Sequence, residues 1–109
     1  MTVKLTEKYN KKILELSGEI DMNASPVLRK ELMTLVNKRV TPLVIDFNNV
    51  SYIDSSGIAT FVEGLKGMMA FGGRLKLAAL PAAVKEIFSF SKLDRVFEIY
   101  GSIDDAINS

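Results

Sequence analysis

The sequence predicts one α/β domain with a mixed β-sheet, in which an opening hairpin precedes strands that alternate with helices. Two patterns support this fold class. Apolar residues recur at every second position near the N-terminus, and later segments with helical spacing alternate with short apolar runs. The length of 109 residues is that of a single ordinary domain, assigned to residues 1–109. The predicted order is β-β-α-β-α-β-α-β-α, with later strands largely parallel and about four helices mainly on one sheet face.

The first two strands are predicted over residues 3–9 and 12–17, with Asn10 and Lys11 forming the tight turn between them. In the second strand the apolar side chains alternate with polar ones, as a half-buried strand requires. These apolar positions are Leu14, Leu16 and, after a bend at Gly18, Ile20. The pattern therefore predicts a hairpin with one face turned toward the core.

The first helix is predicted to begin at Ser25, with this serine as the N-cap and Pro26 at the first helical position. Its apolar residues lie on one face at spacings of three and four: Leu28, Leu32, Leu35 and Val36. The helix is expected to end within residues 37–41, and Pro42 then reopens an extended chain. An amphipathic helix thus links the hairpin to the next strand.

The run Leu43-Val44-Ile45-Asp46-Phe47 is almost entirely apolar, so it is predicted as a central strand covered on both sides. Asn48 and Asn49 are expected to lie in the connection that follows. A second helix is predicted from Ser55, and Gly72-Gly73 is predicted to end it. Its buried stripe is predicted as Ile58, Phe61, Val62, Leu65 and Met69.

Three shorter elements complete the predicted domain. Residues 75–78 form the next strand, and Pro81 opens a third helix. A short strand is expected near residues 96–99, and a final helix near Ser102. These elements continue the alternation of strands and helices.

Composition excludes several classes of function. Lys and Arg total 14 against 13 for Asp and Glu, and the cations are scattered, whereas nucleic-acid binding needs many on one face. No run reaches the roughly 18 apolar residues of a membrane span, and the N-terminus lacks the pattern of a signal peptide. We therefore expect a cytoplasmic protein that binds neither nucleic acid nor membrane.

The chain has no cysteine and no histidine. A Ser-His-Asp triad, a Cys-His pair and the usual zinc ligands are therefore impossible. The glycine-rich phosphate loops of nucleotide enzymes are missing as well. We predict that the protein is not an enzyme and uses neither a cofactor nor a metal.

The most informative segment is 51–58, which joins the end of the central strand to the start of the second helix. Ligands commonly bind at this edge of an α/β sheet, because helix N-termini present free N–H groups. Gly57 and three small polar residues there allow close approach by another molecule. The alternative is that Asp54 or Ser55 only caps the helix, contributing about 1 kcal/mol of stability. The residues alone leave both interpretations open.

Asp54-Ser55-Ser56-Gly57, preceded by Val50-Ser51-Tyr52-Ile53, resembles the signature of the STAS domain, specifically of bacterial anti-sigma factor antagonists. Other matching segments extend the resemblance over essentially the whole chain. They are Gly18-Glu19-Ile20-Asp21, residues 43–47, Gly72-Gly73 and Pro81-Ala82-Ala83-Val84. The chain departs from the family's pattern at Ala59, where many members have a second glycine, and at Met22-Asn23.

The resemblance implies a protein-interaction switch. Ser55, or less plausibly Ser56, would be phosphorylated by an anti-sigma factor that is also a serine kinase of the histidine-kinase-like ATPase fold. The unphosphorylated protein would bind this kinase, phosphorylation would release it, and a PP2C-type phosphatase would reset the switch. We expect the helix N-terminus to tolerate the added anion, since its N–H groups would be free.

The resemblance also implies that Asp54 holds the loop and that Asp21 contributes to kinase docking. The outer face of the second helix is small and mixed in charge, so it is predicted either to meet the partner or to face solvent. The predicted partner-binding residues are Asp21, Asp54, Ser56, Gly57, Ala59 and Glu63.

Two other functions remain open. A STAS scaffold or accessory subunit of a stress-sensing or transporter complex would keep the fold without serine phosphorylation. An enzyme that uses Asp54 would lack histidine, cysteine and a phosphate loop.

Overall fold

The computed structural model describes residues 1–109. Its five strands lie in chain order across one sheet, with the first pair antiparallel and the remaining pairs parallel. The strands are β1 (Thr2–Lys8), β2 (Lys11–Ile20), β3 (Leu43–Ile53), β4 (Leu75–Ala78) and β5 (Glu98–Tyr100). The helices are α1 (Ser25–Asn37), α2 (Ser55–Ala70), α3 (Ala82–Phe90) and α4 (Ile103–Asn108), with a 3₁₀ turn at Leu93–Arg95. The predicted fold class and element order are confirmed.

The hairpin turn lies one residue earlier than predicted. Lys8 pairs with Lys11, so Tyr9 and Asn10 form the two-residue turn. Both have positive φ, 52° and 63°, which is the backbone twist that matches a right-handed hairpin. Asparagine adopts this conformation readily, and the cross-strand register places the tyrosine there as well.

The central strand is longer than predicted, because β3 continues through Asn48 and Asn49 to Ile53. Both asparagines are exposed, whereas Val50 and Ile53 are buried against the core. Parallel pairing with β2 holds the extension, and at two places an extra residue of β3 shifts the register between the two strands. Sheet pairing and burial thus override the weak strand propensity of asparagine. The extension places residue 54 at the carboxyl edge of the sheet.

The core lies mainly on the sheet face covered by α1, α2 and α3. Phe47 of the central strand contacts Phe61 and Phe88, with ring centroids 5.1 Å and 6.2 Å away. The much smaller α4 covers the other face, where it packs on Val44 and its neighbours. Successive residues of a strand point to opposite faces of the sheet, so Val44 packs against α4 and Ile45 packs in the larger core on the other face.

The predicted N-cap of α1 is wrong. Ser25 is the first residue of the helix, and Ala24 occupies the cap position without a side-chain hydrogen bond. In the loop before α1, the Asp21 side chain binds the backbone instead. Its Oδ1 accepts hydrogen bonds from the N–H groups of Asn23 and Ala24, at 3.0 Å and 2.9 Å. The Ser25 hydroxyl donates instead to the Asp21 carbonyl oxygen at 2.7 Å.

The buried face of α2 is rotated from the predicted stripe. Phe61 is fully buried, but Met69 is 67% exposed, and Met68 takes its place in the core. The cause is α1, which runs alongside α2 in the same direction. A Cβ at Gly64 would lie 2.5 Å from Leu32 Cδ2, so this glycine is in close contact with α1. Gly67 likewise packs against α1.

The predicted ends of the later elements are mostly confirmed. Gly72 has φ 77° and donates its N–H to the Met69 carbonyl, while Gly73 donates to the Met68 carbonyl at 2.8 Å, a Schellman end for α2. Strand β4 spans the predicted residues. Strand β5 begins at residue 98, two positions later than predicted, because the 3₁₀ turn occupies the preceding segment. No helix in the protein combines the length and apolar character needed to span a bilayer.

Candidate partner-binding site at the N-terminus of α2

Asp54 is the N-cap of α2 and organises the turn that leads into it. Its Oδ1 accepts hydrogen bonds from the Ser56 N–H at 2.9 Å, the Gly57 N–H at 3.2 Å and the Ser56 hydroxyl at 2.5 Å. Its own N–H donates to the Ile20 carbonyl at 3.1 Å, which ties the turn to β2. The hydroxyl hydrogen bond from Ser56, more than the backbone N–H groups, lowers the pKa of the Asp54 carboxyl. The turn therefore carries a fixed negative charge at neutral pH.

The two serines of the turn are in different environments. Ser55 is exposed, and its hydroxyl makes no hydrogen bond within the chain. Ser56 is half-buried, donates to Asp54 and lies 2.9 Å from the Ser25 hydroxyl oxygen. Only the hydroxyl of Ser55 is free to meet another molecule without breaking a contact.

Gly57 faces inward. A Cβ on this residue would lie 2.7 Å from Ile53 Cγ1 and 2.8 Å from Ile20 Cγ2, closer than carbon atoms pack. The glycine therefore lets the first turn of α2 lie directly on the ends of β2 and β3. This close packing sets the position of the residues before it.

Asp21 lies on the same sheet edge, in the loop between β2 and α1. Two hydroxyl groups connect this loop to the Asp54 turn, because Ser25 contacts the Asp21 carbonyl oxygen and the Ser56 hydroxyl. The Met22 backbone also approaches Asp54 and helps to lower the pKa of its carboxyl. The structure thus brings together two of the predicted partner-binding residues, which lie 33 positions apart in the sequence.

Ser25 is the first of two residues of this site that sequence analysis missed. It is buried, and its hydroxyl has one proton for two acceptors, the Asp21 carbonyl and the Ser56 oxygen. The Ser56 proton is committed to the charged Asp54 carboxylate, which is the stronger acceptor. The Ser25 proton is then shared between the Asp21 carbonyl oxygen and the Ser56 oxygen, whose distances from the Ser25 oxygen are 2.7 Å and 2.9 Å. No local sequence signal distinguishes this serine from an ordinary helix cap.

Ala59 and Glu63 lie on α2 one and two turns beyond Ser55. Ala59 is exposed and has a small side chain, so no large side chain projects from this position beside Ser55. Glu63 accepts a bidentate hydrogen bond from Arg29 of α1, with distances of 2.7 Å to 3.0 Å. This guanidinium lowers the pKa of the Glu63 carboxyl. Arg29 is a second residue that the sequence analysis did not include.

Apolar side chains flank the acidic turn. Met22 is 70% exposed beside Asp21, and Tyr52 at the end of β3 is 47% exposed. On the other side of Asp21 lies an open cavity of about 360 Å³. Its lining consists of Met1, Glu19, Asp21, Asn23, Ala24 and Val27. The edge therefore combines carboxylates with exposed apolar side chains, and exposed apolar surface commonly marks a site of protein binding.

No lysine or arginine occurs in the loops at this edge, which are residues 21–24, 54, 79–81 and 101–102. The expectation of several free N–H groups at the start of α2 is corrected, since Asp54 already occupies those of Ser56 and Gly57. An anion added at Ser55 would therefore lie beside a carboxylate, and these loops would offer it no lysine or arginine.

Comparison with known proteins agrees with this architecture. A family model described as the STAS domain matches residues 2–106. The chain belongs to the STAS domain family. This STAS protein is 33% identical over 101 residues to the anti-sigma-B factor antagonist of Bacillus subtilis (strain 168), covering 91% of this chain and 92% of the relative. It is 31% identical over 84 residues to the protein of the same name from Listeria monocytogenes, covering 77% and 74%.

The crystal structure of an anti-sigma factor antagonist from Mycobacterium paratuberculosis has the same fold as this STAS protein. The TM-score is 0.89 at 25% identity, over 98% of this chain and 91% of that one. Both the predicted family and the predicted fold are thus confirmed. The assignment of individual residues to phosphorylation or partner binding stays a prediction.

Proposed function

We propose that this STAS protein is a cytoplasmic anti-sigma factor antagonist and that phosphorylation of Ser55 controls its binding. Unphosphorylated, it binds an anti-sigma factor that is also a serine kinase of the histidine-kinase-like ATPase fold. Phosphorylated, it is released, and a PP2C-type phosphatase restores it. The observation that carries the proposal is the exposed, unpaired Ser55 hydroxyl beside the Asp54 carboxylate. It occurs in a chain one-third identical to a relative named as such an antagonist.

The hydrogen bonds of the turn favour Ser55 over Ser56 as the phosphate acceptor. A kinase must place the acceptor oxygen in line with the transferred phosphoryl group, with the hydroxyl proton free to leave. Ser55 meets this requirement without any rearrangement. Phosphorylation of Ser56 would first break its hydrogen bond to Asp54 and its contact with Ser25.

The chain supplies the hydroxyl and the partner supplies the chemistry. A serine hydroxyl is a weak nucleophile unless a base takes its proton, and no base of this chain contacts the Ser55 hydroxyl. The Asp54 Oδ1 is already engaged by two N–H groups and the Ser56 hydroxyl. We therefore assign the catalytic base to the kinase and regard the protein as a substrate rather than an enzyme.

Electrostatics explain how one phosphate would release the partner. The phosphate adds about 1.5 to 2 negative charges next to the Asp54 carboxylate, at an edge without a lysine or arginine in its loops. A partner that has accepted a neutral hydroxyl would have to desolvate this anion, which costs several kcal/mol unless a cation pairs with it. Binding is therefore lost without a change of fold.

The partner surface should be complementary to this edge. Asp21, Asp54 and the low surface at Ala59 would be in direct contact, with Met22 and Tyr52 as apolar neighbours. Ser56 and Gly57 would act from behind, by holding the turn in place, and Glu63 would lie at the margin. We expect the kinase to present apolar surface together with a cation at Asp21, and to place no cation within reach of Ser55, so that an added phosphate stays unpaired.

Phosphosite mapping by mass spectrometry with candidate kinases and ATP tests the proposal. Wild type and Ser56→Ala should gain one phosphate at Ser55, whereas Ser55→Ala should gain none. In calorimetry, Ser55→Ala should bind the kinase like the wild type, and Ser55→Asp should bind much more weakly. A phosphate on Ser56 alone, or equal affinities of the alanine and aspartate variants, would refute the switch. Kinase binding without phosphorylation would favour a scaffold role.

A further inference from the structure

A furrow runs between the C-terminal ends of α1 and α2, far from the Ser55 turn. Its lining residues are Met33, Val36, Asn37, Arg39, Gly67, Ala70 and Phe71, around a volume of about 350 Å³. We call this surface the basic furrow. Because a helix rises 1.5 Å per residue, Gly67 lies about 18 Å from Ser55 along α2. The furrow is therefore a separate surface from the switch.

The floor of the furrow is apolar and shallow. Gly67 packs so closely on α1 that a Cβ there would lie 2.6 Å from Val36 Cγ1. The exposed Ala70 leaves a low wall on the α2 side, and Met33 and Phe71 are half-buried along the furrow. The furrow has room for an apolar side chain from outside, and such a side chain would cover carbon surface that water now covers.

Arg39 places a cation at the rim in a fixed position. Its backbone is in the left-handed region with φ 56°, and its N–H donates to the Val36 carbonyl at 2.9 Å. The guanidinium lies 5.9 Å from the centroid of the Phe71 ring. It takes part in none of the chain's side-chain hydrogen bonds or ion pairs, so its N–H donors are free. A guanidinium that lies over an aromatic ring and has free donors is suited to bidentate binding of a carboxylate.

The other charges of the rim are also positive. Lys66 lies one turn before Ala70 on α2, and Lys30 lies three residues before Met33 on α1. Both are exposed, and neither belongs to an ion pair. Of the nearby acids, Glu63 is neutralised by Arg29, and Glu31 projects from the opposite side of α1, 200° around the helix from Met33. The furrow is therefore rimmed by cations without counter-charges.

We propose that the basic furrow binds an acidic segment of a second protein. An apolar side chain of that segment enters between Met33 and Phe71, and its carboxylates pair with Arg39 and Lys66. A protein segment suits this surface better than a membrane, because the cations surround a concave apolar floor, which a flat layer of lipid headgroups would leave empty. This interface goes beyond the proposed switch and makes no use of Ser55.

Titration of the ¹⁵N-labelled full-length chain tests the proposal by NMR. The probe is a ten-residue peptide that alternates glutamate with leucine and phenylalanine; matched peptides carry glutamine or lysine in place of glutamate. The acidic peptide should shift the amide signals of Gly67, Ala70 and Phe71, and its affinity should fall as salt increases. Arg39→Glu/Lys66→Glu should weaken binding more than about tenfold, since like charges then face each other.

Lys4→Glu/Lys85→Glu is the matched control, because it makes the same change of net charge at two exposed lysines outside the furrow. This variant and Ser55→Asp should bind the acidic peptide within about twofold of the wild type. Equal loss of affinity in the control variant, equal binding of the lysine peptide, or peptide shifts that fall outside the furrow would overturn the proposal. Binding of anionic phosphatidylserine vesicles that requires Arg39 and Lys66, with no peptide binding, would also overturn it. Ser55 phosphorylation is measured separately, so either proposal can fail alone.

Discussion

Replacement of Gly57 by alanine tests whether the first turn of α2 is held by close packing. The new Cβ would lie 2.7 Å from Ile53 Cγ1, 2.8 Å from Ile20 Cγ2 and 3.0 Å from the Ile20 carbonyl oxygen. Carbon atoms pack at about 3.5 to 4.0 Å, so the helix or the strands must move by about 1 Å. Both isoleucines are fully buried, and one close atom belongs to the backbone, so no flexible side chain can relieve the contact.

The expected magnitude follows from two opposing effects. Alanine favours a helix over glycine by up to about 1 kcal/mol, and overpacking of a core costs about 1 to 3 kcal/mol. Three buried atoms, one of them in the backbone, lie too close, so we take the upper half of the overpacking range, about 2 to 3 kcal/mol. After subtraction of about 1 kcal/mol for helix propensity, Gly57→Ala should lower the free energy of unfolding by about 1 to 2 kcal/mol in urea denaturation. The matched control is Gly101→Ala, whose Cβ would have no neighbour closer than 4.0 Å and should change stability by less than about 0.5 kcal/mol. A Gly57→Ala protein as stable as the wild type would refute the packing argument.

Three further predictions concern charged groups. The lowered pKa of Asp54 means that its ionised form stabilises the fold above the ordinary carboxyl pKa, and this contribution is lost as pH falls through the folded value. Urea denaturation of Asp54→Asn should therefore show a smaller loss of stability on acidification than that of the wild type. The buried Lys76 Nζ donates a hydrogen bond to the Ala106 carbonyl at 2.8 Å. Lys76→Met should therefore speed hydrogen exchange of the α4 amides by about tenfold or more, while global stability changes little. Unchanged exchange would show that the ammonium does not anchor α4. A double-mutant cycle with Arg29→Ala and Glu63→Ala should give a coupling free energy of about 0.2 to 1 kcal/mol, because both side chains are largely exposed. A coupling free energy of zero would show that this ion pair does not contribute to stability.

Local sequence patterns correctly predicted the elements in which local preference and tertiary contacts favour the same structure. Strand β4 was predicted over the residues it occupies, and the end of α2 followed from Gly72. Asn48 and Asn49 were misplaced in a loop because pairing with β2, a long-range contact, extends β3 through them. The prediction placed Met69 in the core, although it is exposed, because the apolar stripe of α2 does not show which side of the stripe α1 covers.

The sequence by itself determined the fold class, the family and the location of the candidate switch at Asp54-Ser55-Ser56-Gly57, because these depend on periodicity and on short motifs. Only the tertiary structure distinguished the two serines. Ser56 is held by Asp54 within the turn and by Ser25, a residue 31 positions away, whereas Ser55 is left free. The physical reason is that a hydroxyl group's availability depends on its hydrogen-bond partners, and one of these reaches the turn only when α1 packs beside α2.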